Sequence, residues 1–222
     1  MSERQVPAET FASGASLGAH RHREAYAALV VEGVYEETSL DGCFRCVPGT
    51  LVVHPAFHCH ADRFGADGGR VVNIPLPRDA ADRLGYRVTD IAGHDGLLTE
   101  LRSRPDRVVE AVAASGTARA PAAPPAWVGG FLADIMDGQP AARAASRAGV
   151  TTEHAGRIVR HWYGDTPIRL RREGRIRAAL GALREGAGIA EAAVLAGFSD
   201  QPHLTRVLRQ ATGLTPRSLR AG

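Results

Sequence analysis

The sequence predicts a mixed fold: a small β-barrel over residues 1–77, a short helical connector over 78–138 and an all-α region of two helix-turn-helix units over 139–222. Three observations carry this reading. Short β-branched runs punctuated by Gly and Pro fill the first third, apolar positions then switch to spacings of three and four, and the sign of the charge reverses near Gly138. At 222 residues the chain fits one large domain or two small ones, with enough length to bury a real core.

The β-region shows AYAALVV (25–31), TLVVHP (50–55) and RVVNIPLP (70–77), broken at Gly33, Gly42, Pro48–Gly49, Gly65 and Gly68–Gly69. Evenly spaced short strands with turn signals favour a sandwich or small barrel. Residues 78–114 read as short amphipathic helices in RDAADRLG, GHDGLLTELR and PDRVVEAVAA. GTARAPAAPPA (116–126) reads as a Pro/Ala-rich linker too poor in apolar bulk to pack, and WVGGFLADIMDG (127–138) returns to helical spacing with Trp127, Phe131 and Ile135 on one face.

From Pro140 the pattern is helical. AARAASRAG ends at Gly149, and Thr151 opens a second helix as its N-cap. Pro167 begins a long linking helix, whose arginines read mostly as a solvated face. The same grammar then recurs: IAEAAVLAG, a turn at Gly197–Phe198, and a helix opened by Ser199. Two helix-turn-helix units joined by a helix result.

Charge separates the halves. Every one of the 27 basic residues is arginine, for which a GC-rich genome is the simplest cause. Residues 1–138 hold 13 Arg against 18 acidic residues, net −5, and residues 139–222 hold 14 Arg against 6, net +8. An acidic half joined to a basic half is the outline of a regulatory domain carrying a nucleic-acid-binding domain. Three cysteines, Cys43, Cys46 and Cys59, are too few and odd in number for a disulfide framework, so they favour a reducing setting and read as small buried hydrophobes. No window approaches a membrane span and the first residues lack a secretory apolar core, so the expectation is a soluble, cytoplasmic chain with no membrane partner.

The segment AGFSDQPHLTRVLRQATGLTPRSLR (196–220) resembles the signature of the arabinose-regulator (AraC-type) transcription factors, with Gly197, Phe198, Leu204, Arg206, Leu208, Gly213, Thr215 and Pro216 in the pattern positions. The first unit echoes it through Gly149, Arg157, Gly164, Thr166 and Pro167. The resemblance covers roughly 139–220 and implies binding to double-stranded DNA, with the second helix of each unit facing a major groove. Candidate DNA-contacting residues are Thr152, Glu153, Arg157 and Arg160 in the first unit, and Ser199, Asp200, Gln201, His203 and Arg206 in the second. Glutamine pairs bidentately with adenine and aspartate accepts from cytosine, so Asp200, Gln201 and His203 are placed at base edges. Arg206 either contacts phosphate or braces Asp200. The first unit departs from the pattern at Ala155, where a larger core residue is usual, and at Gly156 inside its second helix.

Five of the nine histidines fall in the first 60 residues: His20, His22, His54, His58 and His60. Each H-x-H pair places both imidazoles on one face of a strand, roughly 6.6–7 Å apart along the backbone. Gly14, His20 and His22, then Gly42, Pro48 and Gly49, are similar to the two motifs of a small cupin barrel, although Glu24 stands too early for the motif glutamate and Gly49 directly follows Pro48. The resemblance implies His20, His22 and His60 or His58 as ligands to a divalent metal, with Zn, Fe, Ni or Cu suited to neutral imidazole. Histidines lining a polar barrel mouth without metal are the alternative. CFRC cannot chelate from a strand, because residues three apart face opposite sides.

The combined reading is a sequence-specific transcriptional regulator, not an enzyme, whose cupin-like domain senses a small molecule or metal ion and which acts as a homodimer. The alternative is a metal-dependent cupin oxygenase or isomerase with a DNA-binding tail, which the missing motif glutamate disfavours.

Overall fold

The computed structural model describes residues 8–91, 104, 106–115 and 117–220. The expected helix over GHDGLLTELR (93–102) lies outside them. The chain divides into two compact units, 1–123 and 124–222.

The first unit is built on one antiparallel seven-stranded sheet: β1 (Ala8–Phe11), β2 (Ser16–Arg21), β3 (Tyr26–Ser39), β4 (Gly42–Cys46), β5 (Thr50–His54), β6 (Cys59–Pro75) and β7 (Arg87–Asp90). Two long strands form its spine. β3 and β6 pair from Tyr26↔Pro75 to Ser39↔His60, with bulges near Val30–Glu32 and Gly33–Tyr35. Bulges bend and twist a strand, so each half of the spine takes different partners. β1 pairs with the C-terminal half of β6 and β2 with its N-terminal half; β5 pairs with the first half of β3 and β4 with the second; β7 pairs with β5.

At the bend Gly33 sits opposite Gly69 with φ +74°, and a Cβ there would lie 2.1 Å from the Gly68 carbonyl oxygen. Only glycine lets the two backbones approach this closely.

The barrel expectation is corrected in one respect. The hydrogen-bonded order runs β1-β6-β3-β5-β7 and does not close on itself. The end strands are short, four residues each, which limits the exposed edge. Along the inner face, alternation brings together Ala28, Val30, Tyr35, Phe44, Cys46, Val52, Phe64, Val71 and Val88 as an apolar core. The opposite face is buried too, with Leu29, Leu51, Val53 and Ile74 fully inaccessible, and helix α1 (Arg78–Leu84) packs against β5. β5 therefore reads as a continuous apolar run in TLVV rather than an alternating one.

The connector expected over 78–138 is not one element. β7 lies in the sheet, α2 (Asp106–Ser115) meets it through a Ser115–Thr89 hydroxyl pair at 2.8 Å, and the division of the chain at 123/124 gives residues 124–138 to the second unit. The Pro/Ala-rich stretch does pack. Arg119 N–H donates to the Val88 carbonyl at 2.8 Å, its guanidinium pairs with Asp90 at 2.6 Å and bonds the Arg45 carbonyl, and Ala122 N–H donates to the Cys43 carbonyl at 2.8 Å. Backbone hydrogen bonds and one arginine hold this strap where apolar bulk is lacking. It covers Cys43, which is buried like Cys46, while Cys59 is half-buried.

The second unit is helical: α3 (Trp127–Met136), α4 (Ala141–Arg147), α5 (Thr152–Tyr163), α6 (Pro167–Arg184), α7 (Ile189–Leu195), α8 (Gln201–Thr212) and α9 (Pro216–Arg220). The α3 face expected to pack is buried at Phe131 and Ile135, with Trp127 half-buried. α6 runs through the middle and buries Leu170, Ile176, Ala179, Leu180 and Leu183.

Candidate functional site

Each helix-turn-helix unit is set by its caps. In the first, α4 ends at a turn where Gly149 has φ +70°, and the Thr151 hydroxyl accepts the His154 N–H at 3.1 Å to start α5. In the second, Gly197 has φ +71°, but the N-cap of α8 is Asp200 rather than the expected Ser199. Asp200 accepts the His203 N–H at 2.6 Å and the Ser199 hydroxyl at 3.1 Å, and these bonds hold its carboxyl below the usual range. The turn is thus one residue longer than in the first unit. Asp200, expected at a base edge, is exposed and also caps α8, with each carboxylate oxygen accepting one hydrogen bond there. His203 is half-buried, edge-on to Phe198 at 5.2 Å and with Nδ1 3.1 Å from the Ser199 hydroxyl, so it too faces the turn.

What remains exposed on α8 is Gln201, Pro202, Arg206, Arg209 and Gln210. With Thr205 these line one open groove on the helix surface. Gln210 accepts from Arg172 of α6 at 2.6 Å. On α5 the exposed residues are Thr152, Glu153, Arg157, Arg160 and His161. Aligning the caps Thr151 and Asp200 pairs Arg157 with Arg206, Arg160 with Arg209 and Thr152 with Gln201. Arg209 and Gln210 were missed in the sequence, although Arg160, the counterpart of Arg209, was named. The Gly164-to-Gly213 spacing of the two C-caps would have found them.

In the β-domain the predicted histidines converge. His20 is the last residue but one of β2, His22 follows the strand, and His60 stands opposite His20 on β6. One ring nitrogen from each of His20, His22 and His60 lies within 4.8 Å of the others, and a second such group joins His54, His58 and His60. Sequence reasoning did not place His54 in the site, nor Glu37, Asp62 and Tyr26, all of which line the same small cavity of about 70 Å³.

Hydrogen bonds fix several ring orientations. His20 Nδ1 lies 2.9 Å from the Gly18 carbonyl, to which it donates, leaving the Nε2 lone pair 4.0 Å from Asp62. His58 Nε2 lies 2.9 Å from the Asp41 carboxylate, which puts its proton there and its lone pair on Nδ1. The Tyr26 hydroxyl is 3.2 Å from His60 Nε2, and its ring stacks on His54 at 4.5 Å. Glu37 is fully buried on β3, accepts from Tyr86 at 2.8 Å and Tyr35 at 3.3 Å, and sits 3.5 Å from His54.

Burial dominates the protonation states. It drives His54 well below its ordinary range and His60 down to about 2, with neighbouring histidines adding to the effect, so both rings are neutral and in the form that ligates metals. Burial likewise raises Glu37 well above the carboxylate range and Asp62 to about 7, so the His54–Glu37 contact is a neutral pair rather than an ion pair. His54 Nδ1 and Asp62 Oδ1 are buried with no hydrogen-bond partner. An unmet nitrogen and oxygen beside neutral imidazoles are a donor set that fits a divalent transition metal, whose charge would also favour ionised carboxylates.

Residues 144–222 match a helix-turn-helix domain family. Among curated proteins none matches the sequence. Similar solved structures include the C-terminal domain of AraT, a response regulator from Geobacillus stearothermophilus (19% identity, 45% of this chain and 88% of that one, TM-score 0.40). An AraC-type regulator from Chromobacterium violaceum is 26% identical over 43% of this chain and 86% of its own, with TM-score 0.38. Unsaturated fatty acid-bound ToxT from Vibrio cholerae aligns over 96% of this chain and 93% of its own, at 10% identity and TM-score 0.43. Among the described residues no helix is long and apolar enough to cross a membrane. Residues 144–222 are a helix-turn-helix domain.

Proposed function

We propose that this chain is a DNA-binding transcriptional regulator of the AraC type, a reading supported by the helix-turn-helix domain over 144–222, that it answers to a divalent transition-metal ion held in its β-domain by His20, His22 and His60 with Asp62 beside them, and that α8 is its principal base-reading helix. The single observation behind the metal reading is the convergence of three imidazole nitrogens within 4.8 Å on the inner side of the sheet. Tetrahedral zinc with Zn–N bonds near 2.1 Å needs nitrogens roughly 3.4 Å apart, a spacing reached by small ring rotations. The cavity size favours an ion over an organic effector: about 70 Å³ is far below the roughly 300–1,000 Å³ of typical small-molecule pockets. The same size argues against an organic substrate and so against the oxygenase or isomerase reading. The regulator acts on double-stranded DNA in the cytoplasm, as a homodimer, and three cysteines, too few and odd in number for a disulfide framework, agree with a reducing compartment.

On α8, Gln201 reads a base edge while Arg206 and Arg209 hold phosphates, and Arg157 and Arg160 do the same from α5. The test is to select genomic fragments with the full-length protein and measure its affinity for them with zinc chloride and with a chelator. Zinc is expected to change affinity at least about tenfold, or about 1.4 kcal/mol, and His60→Ala to remove the response. Equal affinity in both conditions would contradict metal control.

A further inference from the structure

We infer that the β-domain contains a second, inner seat for the metal at His54, His58 and His60, which shares His60 with the outer group and is therefore filled in alternation with it. This rests on the metal reading above and adds a site to it. The inner group is distinct in every other ligand and in its surroundings. His20 is half-buried and His22 exposed, whereas His54, His58 and His60 are all buried.

The inner rings are prepared for ligation. Asp41 accepts from His58 Nε2 at 2.9 Å, the carboxylate–histidine arrangement that orients a ligating ring and raises its basicity. The ring of Tyr86 lies flat on His58, with centroids 4.1 Å apart and planes 7° from parallel, and its hydroxyl donates to Glu37. His54 is clamped between the stacked Tyr26 ring and Glu37, with its Nδ1 buried and unmet by any hydrogen bond. Ring centroids of His54 and His60 are 4.4 Å apart, and those of His54 and His58 are 5.6 Å apart. Glu37 completes the set with a carboxyl that a cation would ionise.

The shared ligand sets the alternation. His60 Nδ1 faces the His58 carbonyl at 3.4 Å, which makes Nε2, the nitrogen now 3.2 Å from the Tyr26 hydroxyl, the ring's coordinating atom for either group once an ion displaces that contact. One lone pair serves one ion. His20 and His22 are the accessible rings of the cavity, and His54, His60 and Glu37 also line it, so an ion captured by the outer pair reaches two of the three inner rings along the same space.

The experiment is equilibrium dialysis of the full-length protein against zinc, with bound metal counted by atomic emission and folding checked by circular dichroism. Wild type is expected to hold one zinc per chain. His20→Ala/His22→Ala, which alters only accessible or half-buried rings, is expected to keep one zinc with affinity reduced less than about a hundredfold, and adding His58→Gln is expected to abolish binding. If the double variant binds no zinc while wild type binds one, the inner seat does not exist and the outer site stands alone. Retention of zinc after His58→Gln is added would also overturn the assignment. Two zincs in wild type would refute alternation, and none in wild type would refute the metal reading itself.

Discussion

The two helix-turn-helix units share a plan but not a core. The second buries Leu204, Val207 and Leu208 of α8 against Ala192, Ala193 and Phe198, whereas the first has Ala155 and Val159 against Ala144 and Ala145. With the caps aligned, Ala155 occupies the place of Leu204, and Gly156 that of Thr205. A leucine buries considerably more apolar area than an alanine, at about 25 cal/mol per Å², so the second unit holds its reading helix more firmly. A helix held at fixed angle discriminates bases better than one that yields, which is why α8 is assigned the larger share of specificity.

The largest expected effect separates these cores. Leu204→Ala is expected to destabilise the domain by about 2–5 kcal/mol, because the side chain is fully buried and the site cannot collapse completely. The reverse change in the first unit, Ala155→Leu, is expected to cost about 1–3 kcal/mol by overpacking, since Ala155 is also fully buried. Thermal unfolding of the full-length variants checks both. A stabilising Ala155→Leu would show that the first unit is slack rather than closely packed around small residues, which would overturn the overpacking expectation and sharpen the contrast with the second unit.

The caps come next. Asp200→Ala and Thr151→Ala remove the side chains that accept the His203 and His154 N–H groups, and each is expected to cost about 1 kcal/mol. If Asp200→Ala changed base preference while leaving stability intact, Asp200 would be a reader after all. The smallest effect has the opposite sign. Gly156 is helical, and a Cβ there would meet nothing within 4 Å, so Gly156→Ala is expected to stabilise the first unit by about 0.5–1 kcal/mol.

Local chemistry was legible in the sequence. Thr151 and Pro167 were visible as helix starts and Gly149 and Gly197 as turns, because caps and turns are decided within a few residues. The one cap misplaced, Ser199 for Asp200, turned on two adjacent residues that both make good caps and now hydrogen-bond each other. The convergence of His20 and His22 with His60 was legible, with His60 or His58 as the third ring, through the H-x-H spacing and the resemblance, although His22 falls just past the end of β2. Glu37, Asp62 and His54 were not recognised, since only the pairing of β3 with β5 and β6 brings them to those rings. The same limit hid the strap at 117–122, which is held by backbone partners on β4 and β7 that no composition reveals. Alternating runs likewise show that a sheet has an inner face, but closure depends on whether the end strands meet, and here β1 and β7 do not pair.

The most direct test of the central claim compares the base preferences of full-length Gln201→Ala and Thr152→Ala, the equivalent first positions of α8 and α5, in a selection from random duplexes. The account predicts that Gln201→Ala loses discrimination at one base pair by about 1–3 kcal/mol while Thr152→Ala leaves the preferred sequence nearly unchanged. A preference unaltered by Gln201→Ala and shifted by Thr152→Ala would contradict it.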